Sequence, residues 1–325
     1  MLILNDSEMR SAVTLEDVMD SIEKAHLIFH KGACITPDRY AVSQNENTVM
    51  YMPCFANGVI GTKMLTEIPE NPKKGLPYLS GLMILNDGTT GEPLAILNGQ
   101  TLTALRTGAV GGVAIKHFSK ETASAVGLCG CGVQGLHQLM YACSVRNIKN
   151  IYLYDGFLKD YSNFKERLEK AILPKKVTIT TCKDTTELLE KSEILISATQ
   201  AVSPLYPNDR KLLKGKCFVA IGSWKPNMRE LPDAIWDLVE NVYTELPFAC
   251  EESGDLSQPL AEGRLNMSRV KYIGDYLSLK SEGKAPQIGE TSFYKSVGMG
   301  LFDLMAAQMI YEKAKEKNIG NNLSL

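Results

Sequence analysis

Apolar positions along the chain change their spacing twice. Leu15, Val18, Met19, Ile22, Ala25, Ile28 and Phe29 recur at helical intervals until Gly32, and the Thr14 hydroxyl stands where it caps the N–H three residues on. This predicts an amphipathic helix covering a sheet, after a first strand in Met1-Leu2-Ile3-Leu4. From residue 48 the apolar runs become short, at 48–55, 59–68, 80–85 and 93–97, with turns such as Asn86-Asp87-Gly88 between them. Strands joined by short turns under one helix predict an α+β domain with a largely antiparallel sheet.

From 119 to about 295 the pattern alternates. Apolar runs at 123–128, 151–154, 176–181, 194–198, 217–221 and 242–244 interleave with helical segments at 133–145, 158–171, 185–189 and 231–238. Such alternation predicts an α/β domain of the Rossmann type, a doubly wound parallel sheet that binds ligands at the carboxyl ends of its strands. The stretch 292–303 leads into a helix reaching Lys317, with Leu304, Ala307, Met309, Ile310 and Ala314 on its apolar side. That helix is expected to return to the first domain. The expected division is therefore residues 1–118 plus 298–325 for a substrate-binding and dimerisation domain, and 119–297 for a dinucleotide domain.

Composition narrows the function. The 325 residues, 44% hydrophobic and 22% charged, suit two globular domains. A net charge of −2 gives no electrostatic reason for a nucleic-acid partner, and no apolar run is long enough for a membrane span. The N-terminus turns acidic at Asp6 without a basic segment and long apolar stretch, so no signal peptide is expected and a cytoplasmic location is. Eight cysteines lie scattered without Cys-x-x-Cys pairs, which favours reduced thiols over disulfides or a metal site.

The chemistry concentrates at the predicted strand ends. Gly130, Gly132 and Gly135 are spaced G-x-G-x-x-G after the run 123–128, and Val133 and Gln134 open the helix that follows. This is the arrangement in which a tight turn and a helix N-terminus offer backbone N–H groups to a pyrophosphate. Asp155 ends the next run, twenty residues after Gly135, where a carboxylate takes ribose hydroxyls and repels a 2′-phosphate. NAD(H) is thus favoured over NADP(H). Further strand-end candidates are Thr199, Gly222, Ser223 and Trp224. Cys131, inside the turn, is either a reactive thiol or a small residue that fits a crowded loop.

Three cations stand in apolar surroundings: Arg39, Lys63 within Ile60-Gly61-Thr62-Lys63-Met64-Leu65, and Arg106 within Thr103-Ala104-Leu105-Arg106-Thr107-Gly108. Arg106 is the hardest to explain as a surface charge, because its helix is otherwise apolar or small, and a buried Arg needs an anion. A substrate carboxylate is one.

Thr103-Ala104-Leu105-Arg106-Thr107-Gly108-Ala109-Val110, the Gly130–Gln134 loop, Glu251-Glu252-Ser253-Gly254-Asp255 and Phe293-Tyr294-Lys295-Ser296-Val297-Gly298-Met299 together resemble the ornithine cyclodeaminase/mu-crystallin family, which includes ketimine reductases and archaeal-type alanine dehydrogenases. The resemblance covers nearly the whole chain. It implies that Arg39, Lys63 and Arg106 bind the substrate carboxylate and the cofactor's edge, with Lys63 orienting or protonating an imine. It further implies that Thr199 neighbours the cofactor, that Ser296 and Val297 lie under nicotinamide and substrate, and that the chain pairs its N-terminal sheets in a homodimer.

One departure bears on the reaction. The resemblance implies an Asp where this chain has Trp224, and a Glu where it has Met50. Without acids for a distal ammonium, ornithine cyclodeamination is disfavoured, and Trp224 suits an apolar or cyclic substrate. The expected function is hydride transfer at the Cα–N bond of a small imino or amino acid, with Lys63, or a water held near Ser223, as the proton source. Ornithine cyclodeaminase and a non-catalytic small-ligand binder remain as alternatives.

Overall fold

The computed structural model describes residues 1–324. The chain opens on β1 (Leu2–Leu4), α1 (Asp6–Ala12) and α2 (Leu15–His30). It continues through β2 (Cys34–Ile35), β3 (Tyr40–Gln44), β4 (Asn47–Ala56), β5 (Val59–Glu67), β6 (Leu79–Asp87) and β7 (Pro93–Asn98) into α3 (Gly99–Phe118). Then come β8 (Ala125–Cys129), α4 (Val133–Val145), β9 (Asn150–Tyr154), α5 (Ser162–Ile172), β10 (Thr178–Thr181), α6 (Thr185–Lys191), β11 (Ile194–Ser197), α7 (Arg210–Leu213) and β12 (Cys217–Ala220). The remainder holds β13 (Val242–Thr244), α8 (Ala249–Glu252), α9 (Gly254–Ala261), β14 (Val270–Tyr272), α10 (Ile273–Ser281), β15 (Ser292–Lys295), α11 (Gly300–Glu316) and β16 (Asn321–Asn322). Two compact units result: Met1–Arg106 with the C-terminal stretch from Gly298, and Thr107–Val297.

The first unit is built on a mixed sheet ordered β16-β1-β7-β6-β5-β4-β2, with β3 on β4. Only β1 and β7 run parallel; the other pairs are antiparallel. Period-two alternation turns Met50, Met52, Cys54, Leu65, Met83 and Leu85 inward. α11 crosses this face over β4, β5 and β6 and lies along α2, whose Val18, Ile22 and Ala25 are fully buried. As predicted, Thr14 caps α2, its hydroxyl accepting the Asp17 N–H while Asp17 accepts the Thr14 N–H, a reciprocal capping box. The opposite face is apolar and open. Tyr51, Met64 and Leu82 line up across β4, β5 and β6, Tyr40 stands beside Tyr51, and Tyr40, Tyr51, Phe55 and Leu82 are exposed.

The second unit is the doubly wound sheet, ordered β10-β9-β8-β11-β12-β15-β13-β14 and parallel throughout. The order reverses at β8 and β11, the crevice where such sheets take ligands. Several predicted elements shift. The helix expected at 158–171 begins at Ser162, because Asp155 and Tyr161 hold the preceding loop in turns. The helix expected at 231–238 is a short 3-10 turn, Asp233–Asp237. The stretch 292–295, read only as a lead into the last helix, is β15, buried between β12 and β13. Among the described residues no helix is long and apolar enough to cross a membrane, and all eight cysteines are free thiols.

Candidate active site

Lys63, Arg106 and Asp303 bury their charges together in the first unit. Lys63, on the inward face of β5, is paired in register with Met52 of β4 and Met83 of β6 and is fully buried. Its ammonium lies 2.7 Å from Oδ1 of Asp303, which the first turn of α11 carries. Arg106 Nε donates to the same oxygen at 3.0 Å. Arg39 donates from Nη2 to the Gly298 carbonyl at 3.4 Å. Gly298 is held at φ +80, and an added Cβ would stand 2.6 Å from Arg106 Nη1, so this position admits glycine alone. Two buried cations, Lys63 and Arg106, thus share one oxygen of a single buried carboxylate.

Burial lowers the Lys63 pKa to about 7; Asp303 opposes the shift, and the Arg106 and Arg39 charges add to it. A lysine so placed can hold or release a proton near neutral pH. Its register neighbours, Met52 and Met83, are buried and apolar.

The second unit builds the glycine turn. Gly130 ends β8 at φ +100, and a Cβ there would lie 2.6 Å from the Ala198 carbonyl oxygen. α4 starts after Gly132 with no side-chain cap, so its first-turn amides are open to an anion. Val133 is exposed on that turn, Gln134 Oε1 is buried without a hydrogen-bond partner, and Gly135 is buried behind them. Asp155 Oδ2 accepts the Cys131 N–H at 2.8 Å, while Oδ1 accepts those of Phe157 and Leu158 at 2.9 and 3.1 Å. Gly130, Gly132, Asp155, Phe157 and Thr199 line one cavity of about 800 Å³. Its size suits a cofactor, roughly 300–1,000 Å³ being usual, and its donors suit a dinucleotide. Burial, with Asp155 nearby, pushes the Cys131 thiol up to about 12, so it is a small loop residue and not a reactive thiolate.

The other strand-end residues behave differently from one another. Thr199 donates its N–H and its hydroxyl to Glu230 at 2.8 and 2.7 Å, and Gly222 donates its N–H to the same carboxylate at 3.0 Å. Ser223 is fully buried; its hydroxyl is 2.6 Å from the Met228 carbonyl and 2.9 Å from the Ser253 hydroxyl. That geometry braces a loop. Trp224 is half-buried, with the Lys225 ammonium 4.3 Å from its ring centroid. Ser296 and Val297 are both tied to Glu245, by hydroxyl at 3.0 Å and by N–H at 2.7 Å.

Buried ionisable residues not assigned a role from the sequence include Asp303, Glu230, Glu245, Asp255 and Lys295. Asp303 carries the signal that singled out Arg106, a lone charge among Leu301, Phe302, Leu304 and Met305. Lys295 carries the signal of Lys63, a cation inside a strand. Among the described residues no group of three His, Cys, Asp or Glu side chains could hold a metal ion.

Comparison with known proteins agrees with these features. The family model described as "Ornithine cyclodeaminase/mu-crystallin family" matches residues 1–318. A Bacillus cereus protein named Delta(1)-pyrroline-2-carboxylate reductase is 32% identical over 331 residues, covering 99% of each chain. The solved structure of Thermococcus litoralis Delta(1)-pyrroline-2-carboxylate reductase in complex with NADH and L-proline superposes with a TM-score of 0.90 at 30% identity, covering 99% of this chain and 100% of that one. An archaeal alanine dehydrogenase dimer with bound NAD superposes with a TM-score of 0.87 at 25% identity, over 100% of this chain and 99% of that one. Matched by that model over nearly its whole length and by such relatives, the chain belongs to the ornithine cyclodeaminase/mu-crystallin family.

Proposed function

We propose that this chain is an NAD(H)-dependent reductase of cyclic imino acids, with Δ1-pyrroline-2-carboxylate as substrate and L-proline as product. The observation that carries this reading is the buried cluster of Lys63, Arg106 and Asp303 between Met52 and Met83. It offers Lys63 and Arg106 as cations for one carboxylate, and its strand neighbours Met52 and Met83 are apolar. Bound NADH supplies the hydride that reduces the C=N carbon. Arg106 and Arg39 fix the carboxylate of the imino acid, and Lys63 gives a proton to the imine nitrogen, making the adjacent carbon electrophilic. Met50, Met52 and Met83 provide no counter-charge for the distal ammonium of ornithine. The names of the relatives support the same substrate class. A screen of NADH consumption over cyclic imino-2-carboxylates, 2-oxo acids with ammonia, and ornithine with NAD⁺ tests the reading. Turnover confined to ornithine, with ammonia released, would replace it by cyclodeamination.

Asp155 makes the cofactor NAD(H) and not NADP(H). An Asp155→Ser variant is expected to lose about 10–100-fold in NADH affinity, as for a charged hydrogen bond of roughly 1.5–3 kcal/mol, with a smaller effect on NADPH. Competitive titration of the two cofactors measures this, and equal losses for both would contradict it.

The open apolar sheet face is the surface we assign to a homodimer, with Tyr51 and Leu82 near its middle. Leu82→Glu is expected to yield monomers by light scattering, whereas a wild-type chain that is itself monomeric would refute the assignment. The free thiols fit a reducing cytoplasm.

A further inference from the structure

Behind the dinucleotide cavity lies a layer of buried charge that hydride transfer does not itself require. Glu230 is wholly buried, and both its oxygens are used: Oε1 by the Thr199 N–H and hydroxyl, Oε2 by the Gly222 N–H. The carboxylate therefore staples the loop after β11 to the loop after β12. The backbone of Glu230 is itself held. Its N–H and that of Leu231 donate to Asp255 Oδ1 at 2.7 and 2.9 Å, and Asp255 Oδ2 lies 3.5 Å from the ammonium of Lys295 in β15. Asp255 and Lys295 are fully buried as well. Burial pushes the Glu230 carboxyl up, Lys295 pulls it back, and Asp255 adds to the rise.

A buried acid with such an environment is expensive, and an apolar side chain would fill the space as well if filling were all that was needed. What the acid adds is direction. Ala198, Thr199, Gln200 and Ala201 form one wall of the 800 Å³ cavity, and the Ala198 carbonyl lies against Gly130 of the phosphate turn. Glu230 holds that wall from behind and contributes no lining of its own.

We propose that Glu230, anchored by Asp255, which is itself paired with Lys295, is a positioning residue for the cofactor. It sets the Thr199 wall of the cavity, and through Gly222 it fixes the approach to Ser223. This rests on the NAD(H) reading above. The test is a fluorescence titration of NADH into the wild-type chain and Glu230→Gln, at a temperature where both are folded by circular dichroism, with KM for each substrate measured alongside. The amide puts an N–H donor where a backbone N–H must be accepted, so the dissociation constant for NADH is expected to rise on the order of tenfold or more. KM for NADH rises with it, and KM for the imino acid does not. A Glu230→Gln chain that melts lower yet binds NADH as the wild type does would make the residue merely structural and overturn the proposal. Glu230→Asp keeps the charge but withdraws it from both loops by one methylene, and it is expected to weaken NADH binding in the same direction. Failure of both variants to fold would assign Glu230 to folding and also overturn the proposal. If the wild-type chain itself does not bind NADH, the functional reading falls and takes this one with it; if it binds and the variants bind equally, this one falls alone.

Discussion

Lys63→Met lowers kcat for imine reduction by about 10²–10⁴-fold, the usual worth of a positioned general acid, and leaves NADH affinity unchanged. The pH profile identifies the role. Reduction needs the charged ammonium, so kcat/KM for the wild type falls as pH rises through about 7, where burial has placed the Lys63 pKa. Oxidation of the amino acid needs the neutral amine as base, so its kcat/KM rises over the same window. A bound carboxylate offsets the Arg39 and Arg106 charges that hold the pKa down, and the corresponding limb in kcat therefore lies at higher pH than in kcat/KM. The Met variant lacks this limb in both. A variant that keeps the limb would show that the proton comes from elsewhere.

Asp303→Asn is expected to cost about 3–5 kcal/mol of unfolding free energy, because one carboxylate compensates two buried cations and its removal strands both. Urea denaturation measures the loss. Since Asp303 opposes the downward shift of Lys63, the variant also moves the Lys63 limb below pH 7. The charge-free pair Lys63→Met with Asp303→Leu recovers part of the stability but not the activity, which separates the two functions of the ion pair. Wild-type stability in Asp303→Asn would mean that the cations find other partners.

The fold was legible wherever the hydrophobic period was long and clean. The run into α2 and the alternation from β8 to β12 carried the two architectures, and the Gly130–Gly135 turn with Asp155 carried the cofactor. The period failed where elements are short and buried. β15 is four residues, Ser292 to Lys295, with polar ends, and only its place inside the sheet makes it a strand. α9 holds Pro259 within its span and begins at Gly254, two residues that read as breakers in sequence.

In the site, Arg106 and Lys63 announced themselves as cations in apolar surroundings. Their partner Asp303 carries the same signal, a lone charge among apolar residues, but nothing local says that it faces β5. The partners of Ser223 were hidden for a related reason. Beside Gly222 at a strand end, a serine looks presented to a ligand, and its commitment to Met228 and Ser253 exists only once the loop is folded. Glu230 was visible only as the next acid after Trp224, and its use by two separate loops is a tertiary fact.

Hydride transfer to the Cα–N carbon of a cyclic imino acid can be followed with an isotopic label. Δ1-pyrroline-2-carboxylate is incubated with the protein and NADH dideuterated at nicotinamide C4, and the proline formed is analysed by mass spectrometry. The expected product is L-proline carrying a single deuterium at Cα, in amount equal to the NADH consumed. Binding of both ligands without labelled proline, or NADH consumption with unlabelled product, would contradict it.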